Sequence, residues 1–219
     1  MALKLVIGNK NYSSWSMRPW LALRASNITF DEVLIPLYTD DQADKERILS
    51  FTRSGKVPAL IDGDLTVWDS LAIIEYVAEK FPEAKLWPQE RAGRAHARSI
   101  SAEMHSGFAA LRNECGMNLH RPVRSVSLSD DARANVIRIQ QIWADCHQRY
   151  GQHGPFLFGS FGAADAMFAP VVHRFRTYAI EIAPAARHYV DAMTSLPAFQ
   201  QWTDAGVAET LVIERFEQV

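Results

Sequence analysis

The 219-residue chain carries 23 Lys and Arg against 25 Asp and Glu, a net charge of −2, so no global field favours nucleic acid or an anionic membrane. Hydrophobic residues make up 48% and charged residues 22%, enough apolar material for one large domain or for two smaller ones sharing an interface. Two cysteines without paired spacing make no disulfide framework, and seven scattered histidines lack zinc-ligand spacing. No metal is expected, and a reducing cytosol is the simplest compartment. The apolar run over residues 1–8 is too short for a signal-peptide core, and no stretch is long enough to cross a bilayer.

Leu3, Leu5 and Ile7 alternate with Lys4 and Val6 and predict a buried first strand. Residues 9–14 form a polar turn. A helix follows with Trp20, Leu21 and Leu23 in it, and Pro19 is expected near its start, where the amide it lacks would be unpaired. Residues 30–35 predict a second strand. Residues 41–52 read as a polar helix or loop with Ile48, Leu49 and Phe51 as its apolar face. Residues 59–62 and 65–68 flank Gly63-Asp64 and predict a β-hairpin. Asp69-Ser70 then opens a helix carrying Leu71, Ile73, Ile74, Tyr76 and Val77, which stops at Phe81-Pro82. The order is β-α-β-α-β-β-α. Residues 83–93, with Pro88, Gly93 and several charges, read as a linker. Beyond Arg94 the patterns are helical, over 94–118, 130–150, 163–178, 184–195 and 198–208. The expected organisation is therefore an α/β domain over 1–82, a linker over 83–93 and an all-α domain over 94–219. Cys115 and Cys146 fall on helices, where buried, inert thiols are expected.

Three segments carry chemistry. Asn11-Tyr12-Ser13-Ser14-Trp15-Ser16-Met17-Arg18 lies between the first strand and the first helix. A serine there can cap the helix by accepting from a free amide. A hydroxyl at a helix N-terminus also sits in a field that stabilises an anion and lowers the pKa of a thiol placed beside it. Ser54-Gly55-Lys56-Val57-Pro58-Ala59-Leu60 leads a loop into a strand. A cis Val57-Pro58 bond there would turn the Val57 amide and carbonyl outward, to pair with a peptide as a neighbouring strand would. Trp68-Asp69-Ser70 opens the third helix, where Asp69 or Ser70 serves as a cap and a serine hydroxyl with free amides can hold a carboxylate.

In this order and context the three segments closely resemble the glutathione transferase family. Residues 55–60 and 69–81 look like that family's signature; the likeness is strong over the first domain and weaker over the second. Ser13-Ser14-Trp15-Ser16-Met17-Arg18 is most similar to the serine-type classes, zeta and tau above all. The resemblance implies a thioredoxin-like first domain with glutathione bound along it, as co-substrate or cofactor. It implies a catalytic hydroxyl at the start of the first helix. Val57, before Pro58, would pair with the cysteinyl backbone, Asp69 and Ser70 would hold the γ-glutamyl end, and Lys56 would face the glycyl carboxylate. Counting back from Arg18 gives Ser13 by zeta- and tau-like spacing and Ser14 by delta- and theta-like spacing; the match around Trp15-Ser16 favours Ser13. Tyr12 reads as a packing residue.

The same resemblance implies a cytoplasmic homodimer that conjugates glutathione to small electrophiles in detoxification, with no nucleic-acid or membrane partner. Two alternatives stand beside it: a zeta-like, glutathione-dependent cis–trans isomerase, and a non-catalytic glutathione- or ligand-binding module of the same fold. The electrophile is expected between the first domain and the helices after Arg94. His105, Phe108, Leu111, Arg112 and Met117 are candidates for lining that cleft, and Arg174 and Arg176 for orienting an acidic substrate. The sequence departs from the family pattern at Asp69, where glutamate is commoner. It departs again at Thr52-Arg53-Ser54, where Asn-Pro is common, and at Gly162, where a Ser or Thr cap often precedes the aspartate, here Asp165. The absence of Cys-x-x-Cys at the first turn, and of any cysteine at 12–16, disfavours dithiol oxidoreductases and cysteine-type transferases.

Overall fold

The computed structural model of the chain describes residues 2–39 and 41–217. Met1 and Val219, the outer limits of the two expected domains, lie outside the described residues. The first part runs β1 (Leu3–Ile7), α1 (Ser14–Ala25), β2 (Phe30–Leu34), α2 (Gln42–Phe51), β3 (Ala59–Asp62), β4 (Leu65–Trp68) and α3 (Ser70–Lys80). The sheet order is β2-β1-β3-β4; β1 is parallel to β2 and antiparallel to β3, and β3-β4 is the expected hairpin. The alternation read in β1 sorts its side chains to two layers. Leu3, Leu5 and Ile7 pack with Met17, Leu21, Ile73 and Val77 on the α1/α3 side, while Val6 packs with Ile35, Ile48 and Ala59 beneath α2.

The second part is helical: α4 (Arg91–Ser106), α5 (Ala109–Glu114), α6 (Asp130–Tyr150), α7 (Ala163–Thr177), α8 (Pro184–Ser195) and α9 (Pro197–Val207). Three sequence expectations are corrected here. Pro19 lies inside α1 rather than in its first turn, because Ser13 caps the helix and sets its start at Ser14. The helix expected over 94–118 is two helices, since Phe108 adopts a left-handed φ of 58° between α4 and α5. And α4 begins at Arg91, inside the expected linker, because the Glu90 side chain accepts from the Ala92 and Gly93 amides.

Helix α7 is apolar on nearly every side, as a helix at the centre of a core must be. It packs against both α1 and α4. One continuous hydrophobic cluster therefore runs from β1 and α1 through α7 to α9. Gly162 gives α7 no side-chain cap, and Asp165 makes only the reciprocal half of a capping box: one carboxylate oxygen accepts from the Gly162 amide at 2.8 Å, the other from the Leu157 amide at 3.1 Å. Cys115 and Cys146 are buried, and burial pushes their thiols up to about 11 and about 12. Among the described residues no helix is long and apolar enough to cross a membrane.

Candidate active site

The turns before α1, β3 and α3 open onto one cleft of about 940 Å³ between the sheet domain and the helices, a size that suits a small-molecule ligand. Ser13, Ser14, Lys56, Val57, Pro58, Asp69 and Ser70 all line it. The Val57-Pro58 peptide is cis.

Hydrogen bonding separates the two serines. The Ser13 Oγ accepts from the Ser16 amide at 3.3 Å and donates to the Ser16 Oγ at 2.8 Å, which in turn accepts from the Gly8 amide at 3.1 Å. Its proton is committed inward, to the turn. The Ser14 Oγ accepts from the Arg174 Nη2 at 3.4 Å, and its own proton has no acceptor among the described residues. A hydroxyl with one lone pair engaged by a guanidinium is polarised toward donation.

The α3 turn divides its work in the same way. Asp69 is the cap, its Oδ1 accepting from the Leu71 and Ala72 amides at 2.9 and 3.2 Å. Asp69 holds φ at 77°, a costly conformation for a side-chain-bearing residue and one that concentrates at functional sites. Its second oxygen meets the His105 Nε2 at 3.2 Å. Ser70, fully buried, accepts from the Arg18 Nη1 at 3.3 Å, which leaves its proton at the N-terminus of α3.

Around these turns stand three arginines. Arg18 and Arg112 stack on Trp15, 4.4 and 4.6 Å from its ring centroid. Arg174 is buried and anchored by the Cys115 carbonyl at 2.8 Å. Burial, then Arg112 and Arg174, lower the Arg18 guanidinium to about 9, and burial, then Arg112, lower Arg174 to about 10. All three stay charged at neutral pH, with Asp69 the carboxylate that opposes them at Arg18. The His105 imidazole is held below its ordinary value by burial, against the pull of Asp69 and helped by Arg18 and Arg112. The cleft is thus built for anions at two helix N-termini and along an arginine shelf.

The other residues singled out in the sequence divide. Arg112, Met117 and Arg174 line the cleft. Phe108 and Leu111 pack in the core instead, and Arg176 is exposed on the outer side of α7. Tyr12 is buried and bonded to the segment after α9. Sequence reasoning missed the Trp15 platform and the arrival of Tyr38 and Phe216 at the cleft. The signal for the first was available: an arginine set among the buried Met17, Pro19 and Trp20 needs a reason to be there. A smaller cavity of about 170 Å³ lies between residues 85–89 and the start of α7. It offers no comparable chemistry, because the Asp165 oxygens there already accept two amides.

Residues 12–80 match the family model for the glutathione S-transferase N-terminal domain, and residues 94–205 that for its C-terminal domain. The chain is 28% identical to glutathione S-transferase Z2 of Arabidopsis thaliana over 207 residues, covering 87% of this chain and 88% of the relative. It is 31% identical to maleylacetoacetate isomerase of Rattus norvegicus over 198 residues, covering 86% and 87%. Among solved structures, a Burkholderia glutathione transferase homolog with bound glutathione superposes with a TM-score of 0.70 at 21% identity, covering 94% of this chain and 98% of that one.

Proposed function

The chain belongs to the glutathione S-transferase family, and on that premise we propose how its cleft performs a glutathione transferase's work and which residues carry it. Glutathione lies extended across the mouth of β3. The Val57 main chain pairs with the cysteinyl backbone, and the Ser70 hydroxyl and amide hold the γ-glutamyl carboxylate, with Arg18 behind them. Asp69 faces the γ-glutamyl amine, and Lys56 the glycyl carboxylate. The sulfur sits at the N-terminus of α1, where Ser14 donates to it and Ser13 holds the turn. A free thiol has a pKa near ~8.5 and is mostly protonated at neutral pH. The hydroxyl, the helix dipole and the Arg174 cation together favour thiolate, which attacks an electrophilic carbon placed against Arg112 and Met117.

The observation that carries this reading is the convergence of all three turns on one cationic cleft. Isothermal titration with glutathione and turnover of 1-chloro-2,4-dinitrobenzene test it. Binding with turnover is the expected result; binding without turnover would favour the non-catalytic module, and neither would overturn the reading.

Arg174 beside Ser14 favours a second reading: a glutathione-dependent cis–trans isomerase of an acidic substrate, such as the activity named for the rat relative. Turnover of maleylacetoacetate by the wild type, with Arg174→Met losing it by a much larger factor than it loses conjugation of a neutral electrophile, would select it. A homodimer acting in cytoplasmic detoxification belongs to the same proposal, as does the division of the chain at residues 82 and 93.

A further inference from the structure

The Asp69 Oδ1 is taken up by the Leu71 and Ala72 amides, so its Oδ2 is the oxygen left to meet a ligand at the start of α3. That oxygen already has a neighbour. The Nε2 of His105, in the last turn of α4, lies 3.2 Å from it. The His105 side chain is partly exposed, yet its Nδ1 is buried and has no hydrogen-bond partner among the described residues. A neutral imidazole protonated at Nε2 satisfies this arrangement, donating to Asp69 and leaving Nδ1 bare. An imidazolium does not, because its second proton falls on the buried nitrogen.

The turn before α3 brings Asp69 to this ring, α1 brings Arg18 and Trp15, and α5 brings Arg112. Trp15 meets the imidazole edge-on, with the centroids 5.2 Å apart and the planes at 85°. The Arg112 Nη1 donates to the His105 carbonyl at 3.2 Å. Burial disfavours the protonated ring most, Asp69 favours it, and Arg18 and Arg112 oppose it. The neutral ring is therefore the form held at neutral pH, and acid converts it to a cation that faces the only free oxygen of Asp69.

Resting on the transferase reading, which sets the γ-glutamyl ammonium on Asp69, we propose that His105 is a positioning residue acting through Asp69, and that a proton on His105 and a ligand ammonium on Asp69 oppose each other. Neutral His105 holds the Oδ2 in place with one hydrogen bond and leaves a lone pair for the ammonium. Protonated His105 sets a cation on the same oxygen, so the ammonium meets a carboxylate whose charge is already offset. The coupling is reciprocal: the factor by which the imidazolium weakens the ligand is the factor by which the ligand weakens proton binding. Affinity for the γ-glutamyl group therefore falls as the medium turns acid, independently of the sulfur.

The test is isothermal titration of the full-length chain with S-methylglutathione between pH 7.5 and pH 5.0; this probe keeps the γ-glutamyl group and has no thiol to ionise. The wild type should lose about threefold or more in affinity over that range. At pH 5.5, titrations in two buffers of different ionisation enthalpy should show protons leaving the protein on binding. His105→Gln, which keeps an N–H donor and cannot take a proton, should hold its affinity within about twofold across the range. His105→Ala should be equally flat with pH and should bind more weakly than His105→Gln at pH 7.5. A wild type whose affinity is independent of pH, or that releases no protons, overturns the proposal. So does a His105→Gln variant that keeps the wild-type slope, or a His105→Ala variant that binds as tightly as His105→Gln. Failure of the wild type to bind both S-methylglutathione and glutathione at pH 7.5 would instead overturn the transferase reading on which it rests.

Discussion

Ser13 and Ser14 are neighbours with the same side chain, and the turn gives them different chemistry. Ser13 closes the first turn of α1, while Ser14 keeps a free proton beside Arg174. Ser14→Ala should lower kcat at least tenfold with little change in unfolding free energy. Ser13→Ala should lower the unfolding free energy by ~0.5–2 kcal/mol, the usual effect of a lost cap, and leave most of the turnover. Steady-state kinetics and chemical denaturation on both variants check the division; the reverse pattern would exchange the two roles. Spacing from Arg18 allows either serine and the match around Trp15-Ser16 favours Ser13, but no sequence pattern reveals where a hydroxyl proton points. At α3, Ser70→Ala should weaken glutathione binding by ~1.5–3 kcal/mol in a calorimetric titration, because a charge-assisted hydrogen bond to a buried carboxylate disappears. Equal affinity in the variant would remove Ser70 from the site.

Among the elements, α7 shows how much local pattern reveals and where it stops. Its apolar run marks a helix, and the buried His173 and Arg174 within it cannot be assigned from the run alone. His173 stacks on Phe199 of α9, 4.2 Å between centroids, and contacts the Thr203 hydroxyl at 3.2 Å. Burial, then Arg176 and Arg174, push its imidazole down to about 3. An unfolded histidine takes up its proton near ~6.5, while the folded one stays neutral. The unfolded state therefore binds more protons between these values, and stability rises with pH there. The contribution is fully present above ~6.5 and is lost as pH falls toward 3. Unfolding measured between pH 6 and 4 should show His173→Gln losing stability less steeply than the wild type, by about 1.4 kcal/mol per pH unit. Parallel curves would mean that His173 does not titrate between the two states. The expected 94–118 helix breaks where Gly107 ends α4 and the buried Phe108 turns left-handed; a glycine inside a helical pattern was the available signal.

At the scale of the molecule, the βαβαββα order and the helical second part were both legible, because period-2 and period-3.6 patterns are local. What joins them was not. The Lys10 ammonium sits over Trp20 of α1 and Trp202 of α9, at 5.2 and 5.7 Å, and pairs with Glu32 at 2.8 Å. Asn11 accepts from the Leu119 amide, which ties the α1 loop to the helices. Gly206 permits that approach: a Cβ there would lie 3.2 Å from the Lys10 carbonyl carbon. The contacts of Lys10 with Trp202 and Gly206, and of Asn11 with Leu119, join residues more than a hundred apart in sequence and leave no periodic trace. Leu65 and Trp68 on β4 and Ile137 on α6 remain exposed, apolar surface that a second copy can cover. Light scattering should therefore give about twice the 24.7 kDa chain mass; a monomer at micromolar concentration would contradict the dimer.

In the proposed mechanism this cleft turns bound glutathione into a thiolate at the start of α1. The measurement that meets it most directly is an ultraviolet absorbance titration of the thiolate in the glutathione complex, run on the wild type, Ser13→Ala and Ser14→Ala. The bound thiol of the wild type should titrate at least one unit below the ~8.5 of a free thiol, and Ser14→Ala should carry it back up toward that value. A wild-type complex that titrates like free glutathione would contradict the account.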